Sequence, residues 1–167
     1  MDEDAARKRY YDFIRARAQG VIATVSLDGN PEAALVDIAV KPDLSIVFET
    51  TNQTRKFANL LVHPSIALVV GWGGSETLQY DGTAELLSNH ARHEAVAHYL
   101  SVFPDKASHP TWPGNHYFLV RPLWIRFSDY DTPRRIEEHS FAADNAAAVP
   151  RSWWQKLIGA TPGRQHN

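Results

Sequence analysis

The sequence predicts a mainly β domain in which six antiparallel strands close, fully or in part, into a small barrel with helices at its periphery. Three observations point there. Six runs rich in Val, Ile, Leu, Thr and aromatic residues recur between turn signals, at 21–27, 33–40, 44–49, 66–72, 77–87 and 117–129. The first three are joined only by the stretches around Asp28-Gly29 and Pro42-Asp43. Those links are too short for a crossover, so neighbouring strands pair antiparallel. Helical patterning is confined to a few short segments, and closing the sheet on itself removes its exposed edges.

Taken in order, 4–19 reads as an amphipathic helix, because Ala6, Tyr10, Phe13, Ile14 and Ala18 recur at helical spacing and Gly20 can end it. The three short-linked strands follow. Thr54 to His63 is a short helix closed near Pro64. The strand 66–72 runs into Gly73-Gly74-Ser75, a turn, and the long strand 77–87 contains Gly82, which marks a bulge or kink. Ser88 to Phe103 is a helix, with Val96, Tyr99, Leu100 and Phe103 on one face and Ser88 or Asn89 as its cap. Residues 104–114 form a Pro-rich loop. The strand 117–129 is interrupted by Pro122, which favours an edge or a bulge there. From Thr132 the pattern turns polar. Residues 1–131 are therefore read as one barrel domain with an N-terminal helix, and 132–167 as a C-terminal extension, partly helical around Trp153 and Trp154 and disordered at its end.

Composition bounds the function. The chain has 167 residues, enough for one domain with a substantial core. It has no Cys, which removes disulfides, thiolate nucleophiles and Cys-based metal sites. A formal net charge of −2 argues against general nucleic-acid binding. No apolar run approaches the ~20 residues of a membrane span, and no signal-peptide core follows the acidic N-terminus, so a cytoplasmic protein is expected.

The most informative stretch is Thr50 to Lys56, Thr-Thr-Asn-Gln-Thr-Arg-Lys. A strand ends, hydroxyls and cations cluster, and a helix begins. A helix N-terminus offers unpaired N–H groups and about half a positive charge. Two hydroxyls, a guanidinium and an ammonium added there suit a phosphate. The local pattern alone fits equally well a capped helix whose Arg55 and Lys56 are solvated first-turn charges.

A resemblance weighs on that choice. The runs "DGNP", "IVFETTNQTRK", "HPSIALVVGW" and "YDGTAEL", in this order and spacing, resemble the pyridoxamine 5′-phosphate oxidase-related superfamily of FMN-binding split barrels. The resemblance implies a six-stranded split barrel and a homodimer holding FMN at the subunit interface. Arg55 and Lys56 match the superfamily's phosphate-contacting pair, Thr54 the hydroxyl before them, and Thr50 the strand-end hydroxyl facing the flavin side chain or phosphate. Ala34, Leu35, Val36 and Asp37 match the strand that runs along the isoalloxazine. Thr77 falls where many members place a Gln near the ring. Trp124, with Arg126, falls near a C-terminal Trp and Arg that reach the partner subunit's flavin. The departures bear on activity: Ala34 and Ala39 replace an Arg and a Lys of the oxidases proper, and Glu49 replaces a Tyr. A flavin-dependent oxidoreductase acting on a small molecule is implied, distinct from a true pyridoxamine phosphate oxidase. The alternative is a non-catalytic or stress-related module holding flavin, deazaflavin or haem.

Other chemistry is weakly supported. His90, Glu94 and His98 share a helix face but read as a solvated surface, and His93-Glu94 lacks the second His of a zincin helix, so no metal site is expected. No Gly-x-Ser-x-Gly elbow occurs, and 71–74 reads as a hairpin turn, not a dinucleotide loop. Asp37 is read as pointing to solvent or pairing with a cation. No catalytic acid or base is named.

Overall fold

A computed structural model describes residues 3–141. It contains α1 (Glu3–Arg17), β1 (Gln19–Val25), β2 (Pro31–Asp37), β3 (Ala39–Val40), β4 (Ile46–Thr51), α2 (Arg55–Val62), β5 (Ser65–Val70), β6 (Glu76–Leu86), α3 (Asn89–Val102), β7 (Asn115–Asp129) and β8 (Arg135–Ser140). Two short 3-10 turns, Pro104–Lys106 and His109–Thr111, lie between α3 and β7.

The strands form one antiparallel sheet in the order β2-β1-β5-β6-β7-β4-β3, with β8 added on β7. This is the split barrel, with eight strands instead of six. Two differences produce the count. The run 33–40 is not one strand. It divides at Ile38, whose N–H donates to the carbonyl of Ala18 at 2.9 Å. Residues before it pair with β1, and Ala39 and Val40 pair with β4. The second and third predicted strands therefore meet only through this two-residue piece. The two outermost strands of the sheet, β2 and β3, are thus consecutive in the chain, and Ile38 closes the barrel covalently. The second difference is β8, from the polar stretch after Thr132. It pairs with β7 from Asp129↔Arg135 to Trp124↔Ser140. Trp153, Trp154 and the rest of 142–167 lie outside the described residues.

Local chemistry explains the elements. Glu3 and Asp4 open α1 and Arg15 and Arg17 close it, complementing the helix dipole. The helix ends at Arg17, earlier than Gly20, because Ala18 takes a left-handed φ of 52°; Gly20 instead lies within β1. Asp28-Gly29 makes the β1–β2 hairpin, with Gly29 at φ 82°. Gly82 and Pro122 face each other across β6 and β7 at a register shift after Asp81. A Cβ on Gly82 would meet the Arg121 carbonyl oxygen at 2.6 Å and Val120 Cγ1 at 2.7 Å, so only glycine fits the bulge. Since β7 is an interior strand, Pro122 marks a bulge and not an edge.

The barrel interior is filled by Ile22, Phe48, Leu68, Leu78, Tyr80, Phe118 and Phe127, with Tyr10, Phe13 and Ile14 of α1 packed against them. The fully buried Tyr80 hydroxyl lies 3.1 Å from the carbonyls of Leu44 and Val120. A second core, Ala39, Val47, Leu87, Ala95, Tyr99 and Tyr117, seats α3 on the outside of the sheet. No helix among the described residues is long and apolar enough to cross a membrane.

Candidate functional site

The β4–α2 junction is built as a capped helix start. Thr54, extended at φ −89° and ψ 149°, accepts from the Phe57 N–H at 3.4 Å and donates to the Thr51 carbonyl at 3.0 Å. Its proton is thereby committed, so the buried Thr50 hydroxyl, 2.8 Å away, donates to Thr54. The amides of Arg55 and Lys56 have no intrahelical acceptor, as in any first helical turn.

A groove runs past this junction along β2. One lobe, about 200 Å³, is lined by Ala33, Ala34, Glu32, Thr54, Arg55 and Lys56. The next, about 240 Å³, is lined by Leu35, Val36, Asp37, Thr50 and the loop residues Lys106, His109 and Trp112. Thr54 and Lys56 border both lobes, which join them into one trough. The structure therefore gathers Thr50, Thr54, Arg55, Lys56, Leu35, Val36 and Asp37 around a single space. Thr77 and Trp124 line neither lobe; they stand on β6 and β7, with Thr77 Oγ1 3.5 Å from the Val70 carbonyl and Trp124 paired with Asp81.

The two cations of the junction behave differently. Arg55 is exposed and ion-paired with Glu32 at 3.0 Å. Glu32 is held in turn by Asn59 at 2.8 Å, and Asn59 also donates to Thr24 at 3.0 Å. Lys56 has no ion pair or hydrogen bond with any described residue. Burial alone pushes its ammonium below the usual lysine range. A partly desolvated cation without a counter-charge is unfavourable, and an anion in the groove would relieve it.

At the far end of the groove Asp37 pairs with a cation, one of its two expected settings, in a cluster with Lys106, His109, Asn115 and Tyr117, which sequence reasoning missed. Asp37 accepts from Lys106 and, at 2.9 Å, from Gln19. Burial opposes its ionisation, but these bonds outweigh that and hold its carboxyl below the usual range. Glu49 accepts from His109 Nδ1 at 2.6 Å, Asn115 at 2.9 Å and Tyr117 at 3.0 Å. Burial again opposes ionisation, and the bonds from Asn115, His109 and Tyr117 outweigh it. Lys106 Nζ lies 3.7 Å from Glu49, so it bridges the two carboxylates. The His109 ring lies against Trp112 with centroids 3.8 Å apart. The only available signal was a loop mixing Lys, His and Trp with prolines. Ala39, by contrast, is fully buried under α3 and does not border the groove.

Remaining titratable clusters are structural. His90 and Glu94 form an exposed 3.3 Å pair, while His98 Nε2 donates to the Val40 carbonyl at 3.0 Å. Glu137 is buried against Arg9, and Tyr10 contacts His139 at 2.6 Å. Among the described residues no group of His, Asp and Glu has the arrangement of a metal site.

An antiparallel split barrel with a cation-bordered trough at the β4–α2 junction defines the structural class. A family model described as pyridoxamine 5′-phosphate oxidase matches residues 6–129, and the chain belongs to that family. Over 68 residues it is 40% identical to a pyridoxine/pyridoxamine 5′-phosphate oxidase of Thermosynechococcus vestitus, a match covering 40% of this chain and 32% of that protein. The chain thus spans about a third of that relative's length. A heme binding protein from Mycobacterium smegmatis superposes with a TM-score of 0.70 at 17% identity, covering 84% of this chain and 59% of that one. PhzG from Burkholderia lata 383, solved with tetrahydrophenazine-1-carboxylic acid, gives 0.62 at 14% identity, covering 84% and 87%. At these identities the likeness is one of fold.

Proposed function

We propose that this chain binds FMN in the trough along β2 and serves as a flavin-dependent oxidoreductase for a small molecule. The observation that carries the reading is Lys56, a desolvated ammonium without a counter-charge, set at a helix N-terminus and bordering both lobes. Lys56 and the free amides of the first helical turn would hold the phosphate. Arg55 would join them by leaving Glu32. The small side chains of Ala33 and Ala34 leave room along β2 for the rest of the cofactor. Bound FMN would supply reversible acceptance of a hydride or of electrons. The chain's own contribution is to hold and orient it.

The two lobes form an open groove, which a second wall would enclose. The outer face of the sheet offers it. Leu35, Val21 and Val69 stand side by side on β2, β1 and β5. Leu35 is 57% and Val69 41% exposed, forming an apolar stripe next to the trough. A homodimer packed on this stripe would bury it and close the groove. Thr77 and Trp124 are assigned to the partner's groove in that arrangement.

The oxidation of pyridoxamine phosphate itself is disfavoured by Ala34, which puts no cation on the groove wall where the oxidases proper carry an Arg. A second reading, a module that holds flavin, deazaflavin or haem without turnover, is favoured by the imidazole of His109 on the groove wall. The absorption spectrum and mass of the copurifying ligand, with an FMN titration of the stripped protein, separate these readings. Protein that stays colourless and leaves FMN fluorescence unchanged overturns the flavin proposal.

A further inference from the structure

We infer that His109 is the proton-exchanging group of the trough, that Glu49 is its positioning residue, and that the groove's second ligand is protic, bearing an O–H or N–H at the Asp37 end. The inference rests on the trough being the ligand site proposed above.

Glu49 Oε1 accepts from His109 Nδ1 at 2.6 Å, while Oε2 accepts from Asn115 and Tyr117. A carboxylate held ionised by three donors accepts the hydrogen bond of Nδ1–H, which fixes that tautomer and leaves Nε2 as the ring's exchangeable position. Nε2 has no partner among the described residues, and the ring borders the groove. Trp112 lies against one face of the imidazole, and Asn115 Nδ2 also donates to the His109 carbonyl at 2.9 Å. The backbone is therefore anchored without the ring.

The groups facing His109 are Glu49 of β4, Asp37 of β2 and Lys106 of the first 3-10 turn, with the neutral hydroxyls of Tyr99 on α3 and Tyr117 on β7 behind them. Along the lobe the two carboxylates are matched by the ammoniums of Lys106 and Lys56, and the Arg92 guanidinium of α3 donates to the neighbouring Pro110 carbonyl at 3.1 Å. In the step, the ligand's O–H or N–H bond breaks and an Nε2–H bond forms. The electron pair stays on the ligand's oxygen or nitrogen.

Phenol and anisole, which differ in one exchangeable proton, test this on the full chain loaded with FMN. ¹⁵N NMR of histidine-labelled protein should show the His109 proton on Nδ1. Phenol should shift the Nε2 resonance, anisole should not, and the response should vanish in His109→Gln. In Glu49→Gln the proton should spread over both ring nitrogens, while an otherwise unchanged backbone amide spectrum shows the fold intact. A response to phenol in protein that takes no FMN keeps this inference and removes the flavin reading. An Nε2 resonance indifferent to phenol, or equally sensitive to anisole, overturns the inference. So does an unchanged tautomer in Glu49→Gln, or bound haem whose Soret band is lost in His109→Gln, which would make the imidazole a metal ligand.

Discussion

Lys56→Met separates ligand binding from stability in a way that few surface substitutions do. The ammonium has no counter-charge among the described residues, and burial alone lowers its pKa. Met keeps the aliphatic stem and removes the charge, so the ligand-free protein should melt at an equal or higher temperature than the wild type. The same change deletes a charge-assisted hydrogen bond to the phosphate, worth about 1.5–3 kcal/mol. At about 1.4 kcal/mol per tenfold, FMN should bind about ten- to a hundredfold more weakly. Arg55→Ala should cost less, because its guanidinium is exposed and already shared with Glu32. Isothermal titration with FMN and riboflavin, alongside thermal melts, gives both axes. The loss should appear for FMN and be nearly absent for riboflavin, which lacks the phosphate. The sign with pH is also fixed. A lysine whose folded pKa is depressed keeps its charge only below that value, so FMN affinity should fall as pH rises through a region below the usual lysine range. Equal losses for FMN and riboflavin, or a destabilised apo-protein with unchanged FMN affinity, would refute the assignment.

Other consequences can be checked separately. Glu32→Gln releases Arg55 and removes a carboxylate from the phosphate lobe, so FMN affinity should rise severalfold, as titration will show. Asp37 and Glu49 have depressed folded pKa values, so their contribution to stability is present above their unfolded values of 3.8 and 4.5 and is lost as pH falls through the folded ones. Melting temperature should therefore drop on acidification below about pH 4, less steeply in the Asp37→Asn, Glu49→Gln double variant. Gly82→Ala forces a methyl against the Arg121 carbonyl, and about 1–3 kcal/mol should be lost in denaturant unfolding. On the proposed dimer, Leu35→Asp should lower the mass seen in sedimentation from two chains to one and weaken FMN binding with it.

What could be read from the residues alone follows a physical division. Strands filled with β-branched residues, the Asp28-Gly29 hairpin, the Thr54 cap and the Gly82–Pro122 irregularity all announce themselves locally. The break at Ile38 does not, because Ala33 to Val40 carries no Gly or Pro to mark it and the bend is imposed by a hydrogen bond to Ala18. The strand Arg135–Ser140 hides because its alternation is inverted. Ile136 is 36% exposed while Glu137 is buried against Arg9 of α1. The site divides likewise. The cationic junction is contiguous in sequence and was legible, though the pairing of Arg55 with Glu32, 23 residues away, was not. Glu49, Lys106 and His109 come from a strand and a loop without periodicity. Only the folded barrel shows that His109 and Glu49, 60 residues apart, are one unit.

The single-residue link at Ile38 has a topological corollary. β2 pairs only with β1 and β3 only with β4, so the seam between these two rims is spanned by covalent chain at Ile38 and not by a ladder of hydrogen bonds. A circular permutant opened between Asp37 and Ala39 would keep every strand pairing and lose only that tether, leaving the two rims to splay apart.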